Sequence, residues 1–198
     1  HSAAANNHPQ ACSLLVSRGA NVNEQNVDGE TALSLATQIG YTDVIKSLLD
    51  TGADVNIEDN NGFTCLMNAA QIGNLDEIEL LLDKGCPVNH KRKQTGQTAL
   101  HSAAYNNHPQ ACILLVSRGA DVNEQTDDGE TALMMASQKG HMDVVLALLG
   151  AGANVHLCNN HQCSSLQLAA ANNHTEVCAI LISAGAEINS VDADGDTP

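Results

Sequence analysis

The chain has 198 residues and carries 23 Asp and Glu against 8 Lys and Arg, a formal net charge of −15. That charge repels phosphate backbones, whose neutralisation by Lys and Arg dominates nucleic-acid affinity, and so argues against a nucleic-acid partner. No apolar run reaches the roughly 18 residues of a membrane span, and His1-Ser-Ala-Ala-Ala-Asn-Asn lacks the charged and apolar regions of a signal peptide.

Hydrophobic residues make up 43% of the chain, yet there is no Trp, one Phe (Phe63) and only two Tyr (Tyr41 and Tyr105). A compact core draws heavily on aromatics because each buries a large area. An interior of Leu, Ile, Val and Ala suits thin, regularly layered helices instead.

From the N-terminus onward one segment, Leu-Leu-x-x-Gly-Ala-x-Val-Asn, recurs. It stands at Leu14–Asn23 with one extra spacer residue, then at Leu48–Asn56, Leu81–Asn89 and Leu114–Asn123. Leu148–His156 and Leu181–Asn189 complete the series. A loop glycine follows at Gly29, Gly62, Gly96, Gly129 and Gly195, with Gln162 in the remaining place. A fixed period of about 33 residues marks a solenoid. The units are 1–29, 30–62, 63–96, 97–129, 130–162 and 163–195, and 196–198 opens the next, all within one domain, 1–198.

Unit 97–129 shows the local logic. Thr98 caps a helix whose small apolar face is Ala99, Leu100, Ala103 and Ala104. Asn106-Asn107 breaks it, since Asn tolerates the left-handed conformation of a tight helix–helix turn. Gly40, Gly73 and Gly140 hold the slot of Asn107. Pro109 opens a second helix, where its missing N–H costs nothing. Ile113, Leu114 and Leu115 are expected to supply that helix's apolar face, and Gly119 to end it. Ala120–Gly129 is polar and turn-rich and reads as a projecting hairpin. One helix pair cannot bury its own stripe, so stability must come from stacking neighbours.

The sequence resembles the ankyrin-repeat family. Its Thr-Pro-Leu-His-x-Ala signature is matched by Thr98-Ala99-Leu100-His101-Ser102-Ala103, with weaker versions from Thr31, Thr64, Thr131 and Ser164. The Leu-Leu-x-x-Gly-Ala-x-Val-Asn segment is the second hallmark. The resemblance implies an all-α solenoid of about six stacked helix-turn-helix units with projecting β-hairpin loops. Local departures are Gln162, Ser164-Ser165 and one residue inserted within His90–Thr95. In register, His1 matches His101 and Asp196-Thr197-Pro198 opens a seventh unit, as in a window from a longer array.

Residues 1–38 and 101–138 also nearly coincide, so units recur in threes with a 100-residue period. Ala5 against Tyr105 and Val27 against Asp127 are the large changes at positions that, by the resemblance, face partners.

The resemblance further implies that partners lie along the inner helices and hairpin tips. The matching positions are Val27, Asp28, Glu30, Gln38 and Ile39; then Asn60, Asn61, Phe63, Gln71 and Ile72; then Gln97, Tyr105 and Asn106; then Asp127, Asp128, Glu130, Gln138 and Lys139. Phe63, Ile39, Ile72 and Tyr105 are apolar or aromatic groups the core does not require, and exposed aromatics are typical anchors. Asp and Glu at the tips favour basic segments of a partner. Hairpin asparagines Asn23, Asn56, Asn89, Asn123 and Asn189 match positions hydroxylated in the family.

Other motifs weigh less. His90-Lys91-Arg92-Lys93 is the sole basic run and reads first as a solvated tip, or else as a dock for an acidic motif. His156, Cys158, His161 and Cys163 have zinc-ligand chemistry, but their spacing matches no standard finger. Asp192–Asp196 places its Gly too early for a calcium loop. Asn173-His174-Thr175 is formally a glycosylation sequon. No phosphate loop, nucleophile elbow or His-Glu-x-x-His is present.

Seven scattered cysteines suggest buried free thiols in a reducing compartment, cytoplasm or nucleus. The expectation is therefore a monomeric, cofactor-free, non-enzymatic module binding a peptide or folded partner. The alternative is a passive spacer or elastic linker.

Overall fold

A computed structural model describes residues 1–198 as twelve short helices in six antiparallel pairs. The first helices of the pairs are α1 (Ser2–Ala5), α3 (Ala32–Ile39), α5 (Cys65–Ile72), α7 (Ala99–Tyr105), α9 (Ala132–Lys139) and α11 (Ser165–Ala171). The second are α2 (Pro9–Ser17), α4 (Thr42–Asp50), α6 (Leu75–Asp83), α8 (Pro109–Ser117), α10 (Met142–Gly150) and α12 (Thr175–Ser183). The first set stacks in chain order to form one wall and the second set the other, with α4 and α6 the loosest-packed neighbours.

Helices of nine residues or fewer are marginal alone. Their ends are therefore secured locally. Thr31, Thr64, Thr131 and Ser164 each accept a hydrogen bond from the backbone N–H three residues on, which satisfies an orphan donor of the first turn. Pro9 and Pro109 stand at the first position of α2 and α8. The turn between paired helices needs a left-handed residue. Gly40 supplies it at φ 85°, and Asn107 supplies it at φ 62° as the sequence anticipates.

The core is continuous along the stack. Leu33, Leu66, Leu100, Leu133 and Leu166 fill the first-helix layer and Leu48, Leu81, Leu115, Leu148 and Leu181 the second. Ala36, Ala69, Ala103, Ala136 and Ala169 keep the layers thin. Cys12, Cys65, Cys86 and Cys112 are buried and Cys158, Cys163 and Cys178 half-buried; all are free thiols. Desolvation pushes Cys65, Cys86 and Cys112 up to about 12.

Three expectations need correction. The residue of α2 equivalent to Leu48 is Leu15, not Leu14: Ala20 N–H donates to the Leu15 carbonyl as Ala53 N–H does to that of Leu48. The same register puts Leu115 into the core, beside Ala111 and Cys112, while Ile113 is exposed and Leu114 half-buried. The apolar run is longer than the face it supplies. Third, the projecting hairpins are tight turns rather than paired strands, with a lone bridge between Cys158 and Ser164.

Four of the six hairpins are built by their first residue. Asn26, Asp59, Asn159 and Asp192 accept, through Oδ1, the N–H groups two and four residues on. Successive tips are then laced by backbone bonds, as from Asn60 N–H to the Asp28 carbonyl at 3.0 Å.

Gln162 keeps the turn, at φ 59°. A Cβ at Gly129 would lie 2.7 Å from Asn160 Oδ1 on the next tip. The residue in the place of Asn160 beyond Gln162 is Ala193, whose N–H donates to the His161 carbonyl in the same backbone bond.

Candidate protein-binding face

The inner helices and hairpin tips bring half of the residues marked in the sequence into two adjoining clefts. The first, about 450 Å³, lies between α3 and α5 and their tips. Glu30, Gln38, Asn61, Phe63, Gln71 and Ile72 line it, together with Asp59 and Asn68. The second, about 220 Å³, lies between α5 and α7 and shares Phe63 and Gln71 with the first. Gln97, Tyr105 and Asn106 line it, with His101 and Ser102.

Phe63 is half-buried and packs on the core edge, with the Arg92 guanidinium 4.4 Å from its ring centre. Arg92 is positioned there by donating to the Asn61 carbonyl. Tyr105 is 47% exposed, and Lys139 Nζ stands 4.5 Å from its ring. Both aromatics thus already hold a cation, a contact worth about 0.5–1 kcal/mol at exposed sites.

Glu30 accepts from Asn26 Nδ2 and Gln38 Nε2, each near 3 Å. Burial raises the Glu130 carboxyl above the usual range, with Asp128 adding repulsion. His101 is buried and saturated: Nδ1 accepts from Thr98 N–H, and Nε2 reaches the Glu124 and Glu130 carbonyls at 3.1 Å. Burial therefore holds its pKa below the usual value.

The remaining positions fall outside the clefts. Val27, 91% exposed, with Asp28, Asp127 and Asp128 forms the free edges of tips. Asn60 serves the frame, donating to the Val27 carbonyl. Exposed Ile39, together with Gln138, Lys139 and Glu130, lines neither cleft. His101 and Ser102 enter the sequence only as part of the Thr98–Ala103 signature, and Asp59 carries no motif. Asn68 is marked by position, since it stands in a slot that elsewhere holds Leu35, Met135 or Leu168.

The basic run is not merely solvated. Lys91 pairs with Glu124 at 2.7 Å, and His90 and Lys93 meet Glu58 at 3.1 and 3.4 Å. It therefore spends its charge on the flanking hairpins, where such pairs contribute at most about 1 kcal/mol each. Asn23, Asn89 and Asn123 accept through Oδ1 from a backbone N–H of the next repeat. No three His, Cys, Asp or Glu side chains group as a metal site; Cys158 and Cys163 approach the carbonyls of His156 and His161 instead.

A family model described as ankyrin repeats (3 copies) matches residues 1–59, 51–126 and 118–192. The chain belongs to the ankyrin-repeat family. Such repeats are generally protein–protein interaction modules. A search of curated proteins finds no match. No helix is long and apolar enough to cross a membrane.

Proposed function

We propose that this array captures a peptide segment or a folded partner along its inner face, across the clefts that meet at Phe63 and Gln71. The observation that carries this reading is the joining of two clefts by one aromatic side chain, Phe63, with Ile72 in the first cleft and Tyr105 in the second. Ile39, outside both, extends the apolar edge rather than anchoring it. Acidic groups along the tips, Asp28, Asp127, Asp128 and Glu130, select partners carrying basic residues. Because the frame is preformed and its tips are laced together, little ordering entropy is lost on this side of the interface.

The free thiols favour a reducing compartment, cytoplasm or nucleus, and the protein acts as a monomer without a cofactor. The units that serve this role are the six repeats, 1–29, 30–62, 63–96, 97–129, 130–162 and 163–195. A passive spacer within a longer repeat protein is the competing reading, and it requires no dedicated ligand.

The test is recovery of partners from lysate by the wild type and by Phe63→Ala/Tyr105→Ala. Loss of specific proteins from the double variant, with helicity retained, supports the binding face. Identical recoveries by both proteins favour the spacer.

A further inference from the structure

Asn68 is 5% exposed, and its Nδ2 has no hydrogen-bond partner. Its repeat equivalents are Leu35, Ser102, Met135 and Leu168, so the fold accepts a plain hydrocarbon here and does not call for an amide. A buried donor left unpaired carries its desolvation cost with no bond to offset it. The amide belongs to the lining of the cleft between α3 and α5.

The rest of that cleft has a definite chemistry. Its charged lining side chains are Glu30 and Asp59, and no Lys, Arg or His lines it. Asp59 spends Oδ1 on the N–H groups of Asn61 and Phe63, while no such bond engages Oδ2. Phe63 and Ile72 supply the apolar surface. Arg92, stacked on Phe63, donates to the Asn61 carbonyl and is not among the lining side chains.

We propose that this cleft takes one basic side chain of an extended peptide. The cationic head lies between Glu30 and Asp59, and its methylene stem lies on Phe63 and Ile72, as such stems favour apolar surface. The Asn68 amide, whose Nδ2 is sealed and unpaired in the free protein, turns to present that N–H to a backbone carbonyl of the same peptide. The proposal rests on the inner face being the binding face and names what one part of it selects.

The experiment is a titration of the ¹⁵N-labelled 198-residue protein, followed by NMR, with capped tripeptides Ac-Gly-Xaa-Gly-NH₂. Xaa is arginine, lysine, citrulline or norleucine. The basic peptides should shift the Asn68 side-chain NH₂ and the Phe63 and Ile72 amides saturably. Citrulline and norleucine should bind at least tenfold more weakly.

Two variants are compatible with the frame. Asp59→Asn keeps the loop acceptor, as Asn26 and Asn159 do in their own hairpins, and should weaken both basic peptides at least fivefold. Asn68→Leu, the residue at Leu35, should weaken them about tenfold. Asn68 signals unmoved by either basic peptide, citrulline equal to arginine, or affinity unchanged in Asp59→Asn would each overturn the proposal. If the lysate recoveries still separate wild type from Phe63→Ala/Tyr105→Ala, the binding face survives and only this assignment fails.

Discussion

Leu15 and Leu115 hold the same place in their helices, yet Leu15 is 54% exposed and Leu115 is fully buried. The sequences around them are nearly identical, so the difference comes from stacking. Helix α8 lies against α6 of the preceding repeat, whereas α2 has no repeat packed on that side among residues 1–198.

Leu115→Ala should therefore cost about 2–5 kcal/mol, the range for a truncated buried leucine. Leu15→Ala should cost about 0.5–1 kcal/mol, because much of the lost surface already faces water. Urea unfolding of the two variants reads the difference. Equal shifts in midpoint would contradict the one-dimensional stacking account.

His101 can be exchanged for glutamine but not for alanine. Gln167 shows how, in the equivalent slot: Oε1 accepts from Ser164 N–H at 2.8 Å and Nε2 reaches the Asp196 carbonyl at 3.1 Å. His101→Ala should cost about 3 kcal/mol, since it opens a cavity and strands buried backbone groups. His101→Gln should stay within about 1 kcal/mol of wild type at pH 7.5.

The pair also carries a pH signature. His101's pKa is lowered in the folded state, first by burial. The unfolded chain takes up its proton near pH 6.5 and the folded chain only at lower pH. The contribution is complete above about pH 6.5 and declines as pH falls from there towards the folded value. His101→Gln should thus lose less stability than wild type between pH 7.5 and 5. Parallel losses would show that His101 does not titrate with unfolding.

Glu77 is fully buried at the first turn of α6, its Oε1 accepting from Thr42 Oγ1 at 3.0 Å and its Oε2 without a partner. Equivalent places hold Val44, Val144 and Val177. Burial raises its carboxyl above the ordinary value. The protonated form is the better tolerated one, so the penalty is absent below the unfolded pKa. It grows as pH rises through the folded pKa. Glu77→Val should stabilise by about 1–3 kcal/mol at pH 7 and by less at pH 4. A destabilised variant at pH 7 would mean that the Thr42 bond and the helix N-terminus outweigh desolvation.

Much of the fold was legible because each local signal agrees with the period. Thr caps, Asn107 at the left-handed turn, Pro109 at a helix start and the alanine faces all act within a few residues, and they recur. The second-helix register was harder. Ile113, Leu114 and Leu115 are equally apolar in a list, and only the helix's rotation against α6 and α10 places Leu115 inside. The clefts were half legible. Phe63, Ile72 and Tyr105 stand out as apolar side chains the core does not need, whereas Asp59 carries no mark of its own and Asn68 only that of a polar residue where Leu35 and Met135 stand elsewhere.

The sequence by itself determined the repeat, its period, the helix ends and the acidic character, because all of these depend on neighbouring residues or on summed charge. Tertiary structure alone decided which apolar residues are sealed and that the basic run is engaged by Glu58 and Glu124. It also decided that Asn68 and Glu77 bury polar atoms without partners. Each of these depends on what a neighbouring repeat places against a side chain, at 33 to 35 residues' remove in the case of Lys91–Glu124 and Thr42–Glu77. Local pattern carries no information about contact at that distance until the stack is assembled.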